Sequence, residues 1–309
     1  MSSVAIRSIE FENYRCLRKA RLEFGPFTVL VGGNGTGKSS VLRALLCDQF
    51  GLREEDITGR SQKRTIHLRI QHAGGELLVS RSRSGGTGAG GLTVTRQLLH
   101  LELNGMRAPN HLKAARVLST SGENMANVLT SLTRVRQQQL SERFCALVPL
   151  YADVDFQPLQ EGFLTLRFQD RWSRIWYLPD DVSDGTMLVL AYLLLLYQEP
   201  QVDLVAIEEP ERGLHPYLLG QLVRFFRAMA EGKVGDRPVQ IVVATHSAEF
   251  LNHLEPDEVR FLSRASDDGS TVIERAPSDT PDWRRAFTEY DSALGSLWLS
   301  GGLGGVPGR

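Results

Sequence analysis

Little in this sequence marks it for cross-linking, secretion or a membrane. Its three cysteines, Cys16, Cys47 and Cys145, are odd in number and far apart. No C-x-x-C pair is present to start a zinc or redox site, so they read as free thiols in a reducing compartment. The opening Met1-Ser2-Ser3-Val4-Ala5 lacks a basic segment followed by an apolar core, and no signal peptide is expected. The longest apolar run, Met187–Tyr197, is about half of the roughly 20 residues that a spanning helix needs. It reads as a buried helix, and the chain as cytoplasmic without a membrane partner. Apolar residues do not repeat over three or more heptads, which excludes a long coiled-coil arm. Nor does charge of one sign dominate: the formal net charge is −1, so any nucleic-acid contact must come from a local patch.

What is present is an ordinary globular composition, 42% hydrophobic and 23% charged over 309 residues. That length buries one large core or two modest ones. Ile6, Ile9 and Phe11 alternate with polar residues, the segment Leu22–Phe24 follows, and the continuous apolar stretch Phe27–Val31 reads as a strand ending at a glycine loop. Val41, Leu42, Leu45 and Leu46 then recur at helical spacing. From Thr65 to Leu103 the pattern predicts an antiparallel side sheet with strands at Thr65–His72, Glu76–Ser80 and Leu98–Leu103, and a glycine-rich hairpin tip at Gly85–Gly91. Helical spacing returns between Asn124 and Leu150, with Val128, Leu132, Leu140, Phe144 and Leu147, and reads as a compact helical insertion. Beyond it, strands (Phe163–Phe168, Arg174–Tyr177, Leu204–Ile207, Gln240–Ala244) alternate with helices (from Gly185, and Leu218–Ala230), which predicts a parallel sheet covered on both faces. The terminal stretch Gly301–Gly308 reads as a loosely docked tail.

Gly32-Gly33-Asn34-Gly35-Thr36-Gly37-Lys38-Ser39 fits G-x-x-x-x-G-K-S and lies between a predicted strand and a predicted helix, as the phosphate-loop mechanism requires. The glycines let backbone amides converge on phosphate oxygens. Lys38 would place its charge at the β- and γ-phosphates, Ser39 would offer a hydroxyl to Mg²⁺, and the helix start, including Ser40, adds partial positive charge. A second element, Leu204-Val205-Ala206-Ile207-Glu208-Glu209-Pro210-Glu211, is an apolar strand delivering two carboxylates to its C-terminal end, where parallel sheets bind ligands. Glu208 stands in the place of a Mg²⁺-organising acid, and Glu209 in that of the residue polarising the attacking water. In the third element, Ile241-Val242-Val243-Ala244-Thr245-His246-Ser247, His246 can donate a hydrogen bond to a γ-phosphate oxygen.

Ile9-Glu10-Phe11-Glu12-Asn13-Tyr14-Arg15, the phosphate loop, Ser183-Asp184-Gly185-Thr186, Glu208-Glu209-Pro210-Glu211-Arg212-Gly213-Leu214-His215-Pro216 and Thr245-His246-Ser247 occur in one order. In that order they resemble the RecF, SMC and overcoming-lysogenization-defect (OLD) ATPases, and within them the small, arm-less bacterial AAA-family ATPases without a nuclease domain. The resemblance implies an ABC/RecF-type α/β P-loop NTPase: a mixed, mostly parallel core sheet flanked by helices, with an antiparallel side sheet and a small helical insertion. Its implied organisation is an N-terminal ATPase lobe at 1–115, the insertion at 116–160, a C-terminal ATPase lobe at 161–263 and an extension at 264–309. It also implies ATP and Mg²⁺ as ligands and a head-to-tail homodimer, in which Ser183 and Gly185 of one copy contact the γ-phosphate held by the other. DNA repair or anti-phage defence is the implied setting, with DNA and a separate effector such as a nuclease as implied partners. The alternative is a nucleotide-gated scaffold with little turnover, controlling that effector; a transporter ATPase is disfavoured by the Ser-Asp-Gly-Thr segment.

Two departures from the ABC pattern stand out. Asp184 occupies a glycine position, where a carboxylate aimed at a γ-phosphate would be repelled, so it is expected to cap its helix. Glu208 replaces the more usual aspartate and is one methylene longer. Gln71 is the one candidate for the family's glutamine loop. Arg15 reads equally as a phosphate or nucleic-acid contact and as a surface salt bridge. The basic clusters Arg60/Lys63/Arg64/Arg69, Arg81/Arg83 and Arg134/Arg136 read equally as a DNA-facing stripe and as a solvated surface.

Overall fold

Alternating residues at the start of the chain pair as antiparallel strands, and the continuous apolar runs become buried parallel ones. The computed structural model describes residues 4–57, 65–82, 85–89, 92–276, 278, 280–289 and 293–301. They form two compact units. One holds the residues up to Leu98, Val202–Glu211 and those from Pro216 on; the other holds Leu99–Gln201 and Arg212–His215.

The first unit opens with β1 (Ile6–Tyr14), β2 (Leu17–Glu23) and β3 (Phe27–Val31), then the phosphate loop, α1 (Lys38–Ala44) and the short α2 (Cys47–Phe50). β4 (Ile66–His72), β5 (Gly75–Ser82) and β6 (Gly85–Ala89) complete an antiparallel sheet in the order β2-β1-β4-β5-β6. The expected glycine-rich tip is thus partly a strand, and its Gly90 and Gly91 lie outside the described residues. The Leu98–Leu103 expectation needs correcting. β7 (Arg96–Leu99) is an edge strand of the central sheet, beside the later strand Leu204–Glu208, and Leu103 begins a helix. Arg96 fixes this choice, because its buried guanidinium donates to the Leu45 carbonyl at 2.6 Å and to Asp48 at 2.6 Å. No alternation pattern records such an anchor.

In the second unit come α3 (Leu103–Arg107), β8 (Asn110–His111), α4 (Met125–Ser131), α5 (Arg134–Leu147), β9 (Tyr151–Pro158), β10 (Phe163–Asp170), β11 (Trp176–Tyr177) and α6 (Asp184–Leu194). The helices expected between Asn124 and Leu150 are present as α4 and α5. They belong to a larger unit with its own antiparallel sheet, in which β10 pairs with β9, β8 and β11. Phe144, Tyr151 and Phe168 pack their rings 5.6–5.9 Å apart between α5 and that sheet. Beyond Asp184, α6 is apolar on nearly every side, and all of its residues from Gly185 to Leu194 except Val189 are buried.

Back in the first unit, β12 (Leu204–Glu208), α7 (Pro216–Ala230), β13 (Gln240–Thr245), α8 (Ala248–Leu251), β14 (Val259–Arg264), β15 (Thr271–Arg275), α9 (Pro281–Glu289) and α10 (Leu294–Leu299) follow. The central sheet runs β15-β14-β3-β13-β12-β7. β12, β13, β3 and β14 are mutually parallel, and β15 is antiparallel at its edge. α7 buries Leu219, Leu222, Val223, Phe226 and Met229, spaced as one helical face, with Phe226 6.4 Å from the Phe27 ring. Buried Gln240 ties the first strand to this sheet: its amide oxygen accepts from the Ile6 amide at 2.8 Å, and its nitrogen donates to the carbonyls of Ile6 and Gly25, both at 2.9 Å. α10 docks closely on α8, where a Cβ at Gly295 would stand 1.9 Å from the Ala248 carbonyl oxygen. Residues 302–309, most of the expected tail, lie outside the described residues.

Candidate nucleotide-binding site

The parallel register brings three strand ends to one edge. Thr245 of β13 pairs with Val31 of β3, and Glu208 of β12 with Ala244, so the phosphate loop, the two glutamates and His246 emerge side by side. Gly35 and Gly37 take φ of +77° and +108°, the left-handed region that glycine adopts without penalty. Gly32 is needed for close approach instead, since a Cβ there would stand 2.3 Å from the Leu262 carbonyl oxygen. The loop is braced internally by Thr36, whose hydroxyl donates to the Gly33 carbonyl at 2.9 Å, and externally by Thr271, whose hydroxyl donates to the Thr36 carbonyl at 2.9 Å. Asn34, Gly35, Gly37, Lys38, Ser39, Ser40, Glu208 and Glu209 line a cleft of about 180 Å³ with Cys16 and Ala244.

Lys38 is buried, and its ammonium donates to the carbonyls of Gly32 at 2.7 Å and Gly33 at 2.9 Å. Burial pulls its pKa below the ordinary lysine value, against the fields of Glu209, Glu208 and Glu211, which favour the cation. The Ser39 hydroxyl is hydrogen-bonded to Glu208. Glu209 has φ +48°, an uncommon backbone for a glutamate, and its amide donates to the Ala244 carbonyl at 2.8 Å. Its Oε1 lies 2.9 Å from His246 Nδ1. Glu211 accepts from the Thr245 hydroxyl, while its other oxygen is enclosed with no hydrogen-bond partner among the described residues, and burial pushes its carboxyl upward. The donor set fits what the sequence implied: a hydroxyl and a carboxylate already adjacent suit a hard cation, and an ammonium beside glycine-shaped backbone suits a polyphosphate.

Ser183 and Gly185 lie in the second unit. Ser183, rather than Asp184, caps α6, accepting from the Thr186 amide at 3.2 Å, and Asp184 instead pairs with Arg107 at 2.6 Å. The expectation that Asp184 is the cap is corrected, because the serine one residue earlier already occupies that position. Arg15 pairs with buried Asp56 at 2.7 Å, the salt-bridge reading of that residue. Gln71 sits on β4 and accepts from the Ser8 hydroxyl at 3.2 Å. Of the basic clusters, Arg60, Lys63, Arg64 and Arg83 lie outside the described residues. Arg69 lies between Glu10 and Glu76, and Arg136 pairs with Glu199 at 2.6 Å. Sequence reasoning missed Thr271, Cys16 and Arg107, which carry no local motif. It passed over Glu211, although it belongs to the acidic strand end. Among the described residues no helix is long and apolar enough to cross a membrane.

A G-x-x-x-x-G-K-S loop, paired glutamates and a histidine at the ends of adjacent parallel strands define a P-loop ATPase domain of ABC/RecF type. The family described as "AAA domain, putative AbiEii toxin, Type IV TA system" matches residues 111–252, and an "AAA ATPase domain" family matches residues 5–72. The chain is similar in fold to an SMC head bound to the C-terminal winged-helix domain of ScpA (TM-score 0.62, 13% identity, 89% of this chain and 99% of that one). It is likewise similar to the SMC head domain from Thermotoga maritima (TM-score 0.55, 16% identity, 88% and 99%). An OLD nuclease of Thermus scotoductus is 42% identical over 40 residues, which span 13% of this chain and 8% of that protein. Residues 5–72 and 111–252 are thus similar to AAA ATPase domain families, on a fold like that of SMC heads.

Proposed function

We propose that the chain binds and hydrolyses ATP with Mg²⁺, and that ATP drives a head-to-tail dimer whose opening follows hydrolysis. The observation that carries this reading is the register that gathers Lys38, Ser39, Glu208, Glu209 and His246 at one sheet edge. On ATP binding, the Lys38 ammonium exchanges two loop carbonyls for phosphate oxygens, which bear more charge. Mg²⁺, which Ser39 and Glu208 would hold, supplies positive charge to the transferring phosphoryl group. When ATP binds, His246 leaves Glu209, to which it is paired at 2.9 Å, and donates to a γ-phosphate oxygen, reporting that the phosphate is present. Glu209, still fixed by its backbone bond to Ala244, then orients the attacking water and accepts its proton. Ser183 and Gly185 of a second copy complete the site from the opposite side.

The proposal extends to DNA repair or anti-phage defence, with DNA or an effector nuclease as partner; the short match to a protein named OLD nuclease supports only the nuclease link. A second reading, a slow nucleotide-gated scaffold, is favoured by the mutual pairing of Ser39 with Glu208 and of Glu209 with His246, which ties up the reacting groups. Phosphate release with and without DNA separates the two. The decisive experiment is Glu209→Gln, which should bind ATP, fail to hydrolyse it and accumulate as a dimer. A variant that stays monomeric with ATP by light scattering would sink the sandwich.

A further inference from the structure

A carboxylate at position 184 is a physical problem for a segment that has to approach a triphosphate. Asp184 is flanked by Ser183 and Gly185, and its side chain is 50% exposed at the first turn of α6. Like charges brought together without screening disfavour association. The structure answers this with Arg107, the last residue of α3. Its side chain is 16% exposed, and its guanidinium donates to Asp184 Oδ1 at 2.6 Å through Nη2, and through Nη1 to the Pro179 carbonyl. One planar fork thereby neutralises the carboxylate and holds the Pro179–Ser183 approach to the helix. Gly213, at φ +85°, faces the same aspartate, since an added Cβ would lie 3.5 Å from the Asp184 Cβ. The Asp184 side chain is therefore charge-paired while half exposed.

We propose that Arg107 is a positioning residue for the Ser183–Gly185 segment: by pairing with Asp184 it removes the charge that would otherwise repel the γ-phosphate of a second copy. The inference rests on the dimer reading above. Arg107 touches no nucleotide in this scheme and acts only through Asp184.

The test uses the Glu209→Gln chain as parent and reads two quantities: binding of a fluorescent ATP analogue to dilute monomer, and ATP-dependent dimerisation by analytical ultracentrifugation. Arg107→Ala should leave monomer binding unchanged and weaken dimerisation about tenfold to hundredfold, the scale of an unpaired like charge at an interface. Adding Asp184→Asn to Arg107→Ala should restore dimerisation to within about threefold of the parent, which a purely architectural role for Arg107 would not permit. Dimerisation unaffected by Arg107→Ala, or a double variant as weak as Arg107→Ala alone, overturns the proposal. Should Arg107→Ala not fold, Asp184→Asn alone decides: dimerisation as tight as the parent or tighter supports the proposal, and a loss overturns it. A Glu209→Gln parent that remains monomeric with ATP overturns the dimer reading, and this inference with it.

Discussion

Replacing Lys38 by alanine separates what the lysine does for the fold from what it does for a ligand. In the nucleotide-free chain the change deletes two hydrogen bonds, to Gly32 and Gly33, together contributing about 2 kcal/mol. It also removes a buried cation whose desolvation already lowers its pKa, so the two effects oppose and net stability should change by no more than about 1–2 kcal/mol. With ATP the same ammonium makes charge-assisted bonds of about 1.5–3 kcal/mol each. Losing even one or two of them weakens binding on the order of a hundredfold, at 1.4 kcal/mol per tenfold. Thermal denaturation with Mg²⁺ and increasing ATP reads both numbers. At 100 times its Kd, ATP stabilises the parent by about 2.7 kcal/mol, and at the same concentration the variant gains about 0.4 kcal/mol. If Lys38→Ala showed the parent's ATP-induced stabilisation, the loop would not be the nucleotide site and the functional reading would fail with it.

Gly32→Ala should fold, by circular dichroism, yet lose most ATP-induced stabilisation, because its Cβ would meet the Leu262 carbonyl at 2.3 Å and the loop must shift. Gln240→Ala orphans the Ile6 amide and the carbonyls of Ile6 and Gly25, and urea titration should show about 3 kcal/mol or more of destabilisation. For Glu211 the sign follows from burial, which raises its folded-state pKa. The folded chain holds that proton more tightly than the unfolded one, so the contribution is present at low pH and lost as pH rises from about 4 through the folded value. Glu211→Gln should therefore be more stable than the parent by about 1–3 kcal/mol at pH 7. The gain should shrink towards pH 4.5, and a gain independent of pH would contradict the assignment.

The buried strands were legible because β3, β12 and β13 are short, mostly apolar runs that fit little else, and because all three run directly into residues with chemistry. The same features made the phosphate loop, Glu208–Glu209 and His246 readable as one site. The place of Arg96–Leu99 was not readable, since a short strand carries no mark of the sheet it joins and the deciding contact, Arg96 to Leu45 and Asp48, spans about 50 positions. Tyr151–Pro158 went unread as a strand for a related reason: the apolar signal of Val154 and Phe156 is diluted by Asp153 and Asp155, and the latter pairs with Arg167 across the strand. Asp184 was misplaced by one position because Ser183 and Asp184 are equally good caps by type, and only the pairing with Arg107 separates them.

The contacts of Leu262 and Thr271 with the phosphate loop mean that its conformation is shared with a hairpin more than 220 residues away in sequence. Binding at the loop and seating of that hairpin are then two sides of one equilibrium: any factor by which the seated hairpin tightens ATP must return as the factor by which ATP holds the hairpin down. A shortened chain ending at Arg264 would keep every recognisable motif and still grip the triphosphate less well, and a partner that tugged on Thr271–Arg275 would have a direct handle on occupancy.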